Sequence, residues 1–200
     1  MISRSLLILL LISFLFIDLK AQENFAHTEN TFIRFSTGYS PTSILFLGKT
    51  PDTQTTLIQL NYGKKLDWEF KTIPVFYLIS ITPYIHYDYP KRDQNGIRDV
   101  VTGFGFSPIG FEINKNLKKN FGLSLSTAGG FILTNKKFPT DKGRRLNYTY
   151  ELTPKMFLEI HDSVSLFIGY KFHHISNAQT GSENPGIDSN FIFFSTHISI

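Results

Sequence analysis

The stretch Leu146-Asn147-Tyr148-Thr149-Tyr150-Glu151-Leu152-Thr153-Pro154-Lys155-Met156-Phe157-Leu158-Glu159-Ile160 decides the fold class. Leu146, Tyr148, Tyr150, Leu152, Met156 and Leu158 share one parity, while Asn147, Thr149, Glu151, Thr153 and Lys155 share the other. Side chains of a β-strand point alternately to its two faces, so this run reads as a strand with one apolar and one polar face. It is also longer than the ~5–6 residues usual in a soluble sheet.

Working outward, the same alternation recurs along the chain. Phe32 to Tyr39, Thr55 to Tyr62 and Trp68 to His86 precede it, the last with Ile73, Val75, Tyr77, Ile79, Ile81 and Ile85 all on odd positions. Val100 to Ile113 and Phe121 to Thr134 also precede it, and Val164 to Ser176 and Asn190 to Ile200 come after it, giving eight expected strands. One face is bulky and apolar, the other small or polar, as in Gly122, Ser124, Ser126, Ala128 and Gly130. Alternation alone does not say which face lies inside; connection lengths help to decide. Ser40–Gln54, Tyr87–Arg98, Asn135–Arg145 and Asn177–Ile187 are long and rich in Pro, Gly, Asn and charge. Between them Gly63–Asp67, Asn114–Asn120 and His161–Ser163 are tight. Long loops on one side and short turns on the other are the habit of outer-membrane barrels. The expectation is an all-β, eight-stranded antiparallel transmembrane β-barrel of the outer membrane, the competing architecture being a soluble secreted barrel.

Composition agrees. The chain has 200 residues, 42% hydrophobic and 18% charged, with Phe 20, Tyr 9 and Trp 1. With no cysteine, neither a disulfide framework nor a thiolate metal site is available. The net charge of +4 favours anionic surfaces only mildly, and no basic run with interleaved aromatics points to nucleic acid. At the N-terminus, Arg4 precedes an apolar run from Leu6 to Ile17, and Leu19-Lys20-Ala21 offers a cleavage site before Gln22. The apolar run is short of the ~20 residues of a spanning helix. Residues 1–21 are therefore expected to be a cleaved signal peptide, and 22–200 a single domain.

His174-Ile175-Ser176-Asn177-Ala178, followed by Asn184-Pro185-Gly186-Ile187-Asp188, carries the chemistry. His174 and Ser176 lie two apart on one strand face, and a carboxylate returns at the start of the next strand: base, nucleophile and base-orienting acid in one hairpin. By parity they continue the apolar row Val164, Leu166, Ile168, Tyr170 and Phe172, and Asp188 extends the row Ile192, Phe194, Ile198 and Ile200. All three are thus expected on the outer surface, at the extracellular rim. Unpaired polar groups facing lipid are costly, so a functional reason is preferred. The triplet alone is weak: His197-Ile198-Ser199 repeats it on the presumed interior row with nothing around it.

The two segments resemble the active-site signature of the PagL-type lipid A 3-O-deacylases. These are eight-stranded outer-membrane barrels that hydrolyse the ester-linked hydroxyacyl chain at the 3-position of lipid A. The resemblance is sharp over Tyr170–Asp188. It implies His174 as general base, Ser176 as nucleophile and Asp188 as the acidic third member, where the best-known relative has glutamate. Asn177 and Asn184 match asparagines associated with the oxyanion site, and Ala178 lies beside them. Glu183 is the fallback acid. The implied activity is a serine esterase acting on lipopolysaccharide at the outer leaflet, with no cofactor and no metal. Two alternatives stay open: a phospholipase or acyltransferase with the same triad, and a non-catalytic adhesin or anchor. The oligomeric state is not legible.

Overall fold

The computed structural model describes residues 30–91 and 96–200. The expected signal peptide lies outside the described residues. Among the described residues nine strands form one antiparallel sheet: β1 (Thr31–Ser40), β2 (Ser43–Ile44), β3 (Gln54–Phe70), β4 (Ile73–Pro90), β5 (Arg98–Lys118), β6 (Phe121–Phe138), β7 (Arg144–His161), β8 (Val164–Ser176) and β9 (Ile187–Ser199). Their order is β1-β3-β4-β5-β6-β7-β8-β9-β2, and β1 pairs with β9 as well. The eight-stranded barrel expected from sequence is therefore corrected to a nine-stranded sheet. The unforeseen strand is the two-residue β2, in a stretch rich in turn-forming residues. It continues the line of β1 along β9, pairing Ser43 with Ser189 and Ile44 with Asp188.

Parity holds along most strands. In β7, Asn147, Thr149, Glu151, Thr153 and Lys155 are buried, while Leu146, Tyr148, Tyr150, Met156 and Leu158 are exposed. β4 departs from it. Its odd residues Tyr77, Ile79 and Ile81 reach the outer surface, but Ile85, Tyr87 and Tyr89 are buried. A register shift between Thr82 and Ile85, around Pro83, inserts an extra residue and turns the row over.

Two of the expected tight turns also move. The turn expected at Gly63–Asp67 is strand, and the chain reverses at Lys71 and Thr72, whose φ values are 47° and 67°. Gly63 is small for another reason: a Cβ there would lie 2.1 Å from Phe32 Cζ, so the position admits the Phe32 ring. The connection expected at Asn114–Asn120 shrinks to Lys119 and Asn120.

The enclosed face has two layers. One is ionic: Arg34 donates to both Glu112 carboxylate oxygens at 2.7 Å, and Lys155 donates to Glu112 at 2.6 Å. Lys171 donates to Glu151 at 2.6 Å and to Gln59 at 2.5 Å. Buried charges persist only when paired in this way. The other layer is apolar and groups Leu57, Ile85, Tyr87, Tyr89, Val101, Ile132, Phe138, Ile175, Ile187 and Phe191. Ile175 and Ile187 are register partners in the β8–β9 hairpin, so this layer backs the segment that carries the candidate site.

Candidate active site

β8 presents Leu166 and Ile168 outward and buries Ser165, Phe167 and Lys171. His174 and Ser176 continue the outward row, and both are half-buried. On β9 the outward row is Ile192, Phe194 and Ile198, and Asp188 extends it. His174 and Asp188 are direct partners in the β8–β9 register, so their side chains rise side by side on one face. His174 Nδ1–H donates to Asp188 Oδ1 at 2.6 Å, the length of a charge-assisted bond. That contact puts the proton on Nδ1 and leaves Nε2 as the basic nitrogen.

Asp188 sits on the outward row yet is 0% exposed. What covers it is the chain leaving β2. The backbone N–H groups of Phe46, Leu47 and Gly48 all donate to Asp188 Oδ2, at 3.0, 2.6 and 2.8 Å. Successive N–H groups converging on one oxygen make an anion-holding nest. Lys49 N–H then donates to Pro185 O at 2.6 Å, tying this segment to the loop before β9. Sequence reasoning missed this feature entirely, because the donors are backbone groups that carry no side-chain signature.

Ser176 ends β8 opposite Tyr148. It makes no hydrogen bond with His174 among the described residues; catalytic contacts of this kind often close only around substrate. Beyond Ser176 the chain turns through Ala178 and Gln179, with φ of 49° and 66°. Thr180 N–H and Oγ1–H cap the Asn177 carbonyl at 3.0 and 2.7 Å. Asn177 N–H donates to Asn184 Oδ1 at 2.8 Å, and Asn177 Nδ2 donates to Glu183 O at 2.7 Å. The two asparagines thus fasten the loop to the end of β8. Glu183 accepts from Lys142 Nζ at 3.2 Å, while Asp188 holds the position beside the imidazole.

The repeated triplet behaves as its parity requires. His197 and Ser199 are buried on the enclosed face, joined at 3.3 Å, and His197 packs on Phe32 with ring centroids 4.3 Å apart.

A model of the lipid A 3-O-deacylase (PagL) family matches residues 55–197, well over half of the chain. The chain belongs to that family. The match spans His174, Ser176 and Asp188 and begins after the Phe46–Gly48 segment. Among solved structures, the chain is similar to one described as the outer membrane enzyme PagL, with a TM-score of 0.59 and 15% identity, covering 84% of this chain and 99% of that one. It is also similar to Neisserial surface protein A, with a TM-score of 0.59 and 8% identity, covering 85% and 97%. At such identities the likeness is one of fold. No curated protein sequence matches the chain.

Proposed function

We propose that this protein is an outer-membrane serine esterase that removes the ester-linked 3-O-acyl chain from lipid A. The observation that carries the reading is the 2.6 Å His174–Asp188 contact, in line with Ser176 and with the exposed apolar rows of β8 and β9. A hydrogen-bonded acid–imidazole pair on a lipid-facing surface has a clear use in chemistry and little use in packing. The exposed apolar rows and the ionic enclosed face are the arrangement of a sheet immersed in lipid. The site lies at the end with the long loops, which is the extracellular rim in such proteins.

In this reading His174 Nε2 takes the Ser176 hydroxyl proton as Oγ attacks the ester carbonyl. Asp188 holds the ring in the Nδ1–H tautomer and stabilises the imidazolium that forms. The sugar oxygen leaves with the proton from His174, and Ser176 keeps the acyl group. A water molecule, deprotonated by His174, then releases the fatty acid and regenerates Ser176. The Ala178 N–H, in the turn just past the nucleophile, is the donor for the developing oxyanion, worth about 3–4 kcal/mol. Asn177 and Asn184 hold that turn in place. Neither step calls for a metal or a cofactor.

The test is to supply the purified, lipid-embedded protein with lipid A and, separately, with a glycerophospholipid of matched chain length. Release of one 3-hydroxy fatty acid from lipid A, absent in Ser176→Ala, is expected. Hydrolysis confined to the glycerophospholipid would make the protein a phospholipase. No hydrolysis of either by folded protein would remove the esterase reading.

A further inference from the structure

The segment Leu45–Gly48 lies before the residues that the family model matches, yet it makes three hydrogen bonds to the Asp188 side chain: Phe46, Leu47 and Gly48 N–H donate to Oδ2, while His174 holds Oδ1. We propose that Leu45–Gly48 is a positioning strap that fixes the catalytic acid, with Gly48 as the residue that lets it close. This rests on the reading of Asp188 as the acid of the triad.

Three observations converge. The strap holds Asp188 Oδ2 while His174 holds Oδ1, so both carboxylate oxygens are fixed. β2 sets the strap's course: Ile44 pairs with Asp188 itself, so the chain leaving β2 starts directly beside the carboxylate. Gly48 is where the strap meets the loop before β9. A Cβ at Gly48 would lie 2.9 Å from both Gly186 C and Ile187 N and 3.0 Å from Gly186 O. Those are backbone atoms and cannot swing aside as a flexible side chain would, so only glycine lets the strap approach this closely.

The side chains of the strap anchor it on the opposite side. Phe46 packs edge-on against Phe172, with ring centroids 5.8 Å apart, while Leu45 and Leu47 are about half exposed on the outward surface. Burial of these groups in lipid would help to hold the strap down. The acid is therefore pre-organised by backbone dipoles, and the strap itself never touches the reacting atoms.

Gly48→Ala tests this. A misplacement of the order of 1 Å costs about 10²-fold in rate. The expected result is a kcat lower by about 10²-fold, a nearly unchanged KM, and loss of the low-field proton resonance of His174 Nδ1–H. That resonance is assigned by its absence in His174→Gln. Adding Asp188→Glu to Gly48→Ala should recover part of the lost kcat, because a longer acid can follow a strap that has moved outward. If Gly48→Ala does not fold, replacing the Leu47 amide by an ester removes only the 2.6 Å donor and should weaken the same resonance. A folded Gly48→Ala protein with wild-type kcat and an intact resonance would overturn the proposal. So would a raised KM at unchanged kcat, which would make the strap an acyl-chain surface instead. The resonance is read without substrate, so an inactive wild-type protein whose signal depends on Gly48 would retain the strap and lose only the esterase reading.

Discussion

Replacing Asp188 by Asn separates the acid's chemical role from its structural one. The amide oxygen of Asn can still accept from Phe46, Leu47 and Gly48 N–H, so the strap keeps its anchor. The NH2 group, however, would face His174 Nδ1, where Asp188 Oδ1 now accepts at 2.6 Å. Nδ1 must then become an acceptor, and the ring proton moves to Nε2. That is the nitrogen needed to take the Ser176 proton, so the base is lost although the geometry survives. In serine proteases the equivalent change lowers kcat by about 10⁴-fold, which corresponds to about 5 kcal/mol of barrier. Stability should change less. Hydrogen bonds to charged groups contribute ~1.5–3 kcal/mol and neutral ones ~0.5–1.5, so three bonds that lose their charge cost about 3–4.5 kcal/mol. The assay is the initial rate of fatty-acid release per folded molecule, with the folded fraction taken from heat-modifiable gel migration. A folded Asp188→Asn protein within tenfold of wild type would refute the assignment of Asp188 as the acid that orients His174.

Other residues separate the account from its nearest competitors. Glu183→Ala should retain esterase activity to within about twofold, since its carboxylate pairs with the exposed Lys142, a contact of the kind worth ~0–1 kcal/mol; a large loss would return the acid's role to Glu183. Ser199→Ala should be equally active, because Ser199 bonds the buried His197 on the enclosed face. Glu112→Gln should destabilise the fold by about 3–5 kcal/mol, because it leaves Arg34 and Lys155 buried without their shared counter-charge. Denaturant unfolding in lipid vesicles would show it, and a change below about 1 kcal/mol would mean that this ion cluster does not hold the interior.

What the sequence disclosed follows from where side-chain identity controls structure. Strand parity is written in the alternation of apolar and polar residues, so the outward placement of His174, Ser176 and Asp188 was legible, and so was the inward placement of His197 and Ser199. Gly63 misled because a glycine that accommodates an aromatic ring looks the same in sequence as a glycine that turns the chain. The true turn, at Lys71-Thr72, lacks the Asn-Gly or Asp-Gly that usually marks a left-handed pair. Pro83 hid the change of face in β4, because a register shift leaves the alternating pattern on each side of it intact. β2 was invisible for want of length: two residues have no period. The strap was hidden more deeply. Its function resides in N–H groups that nearly every residue has, and only the path of the chain brings them to Asp188.

The most direct test of the catalytic assignment is to find where a covalent serine probe attaches. Lipid-embedded protein would be treated with a long-chain alkyl fluorophosphonate, digested and mapped by mass spectrometry. The expected adduct lies on Ser176, forms at a rate that depends on His174 and Asp188, and is absent in Ser176→Ala. An adduct on another serine, or equal labelling after His174→Ala, would contradict the triad on the outward face.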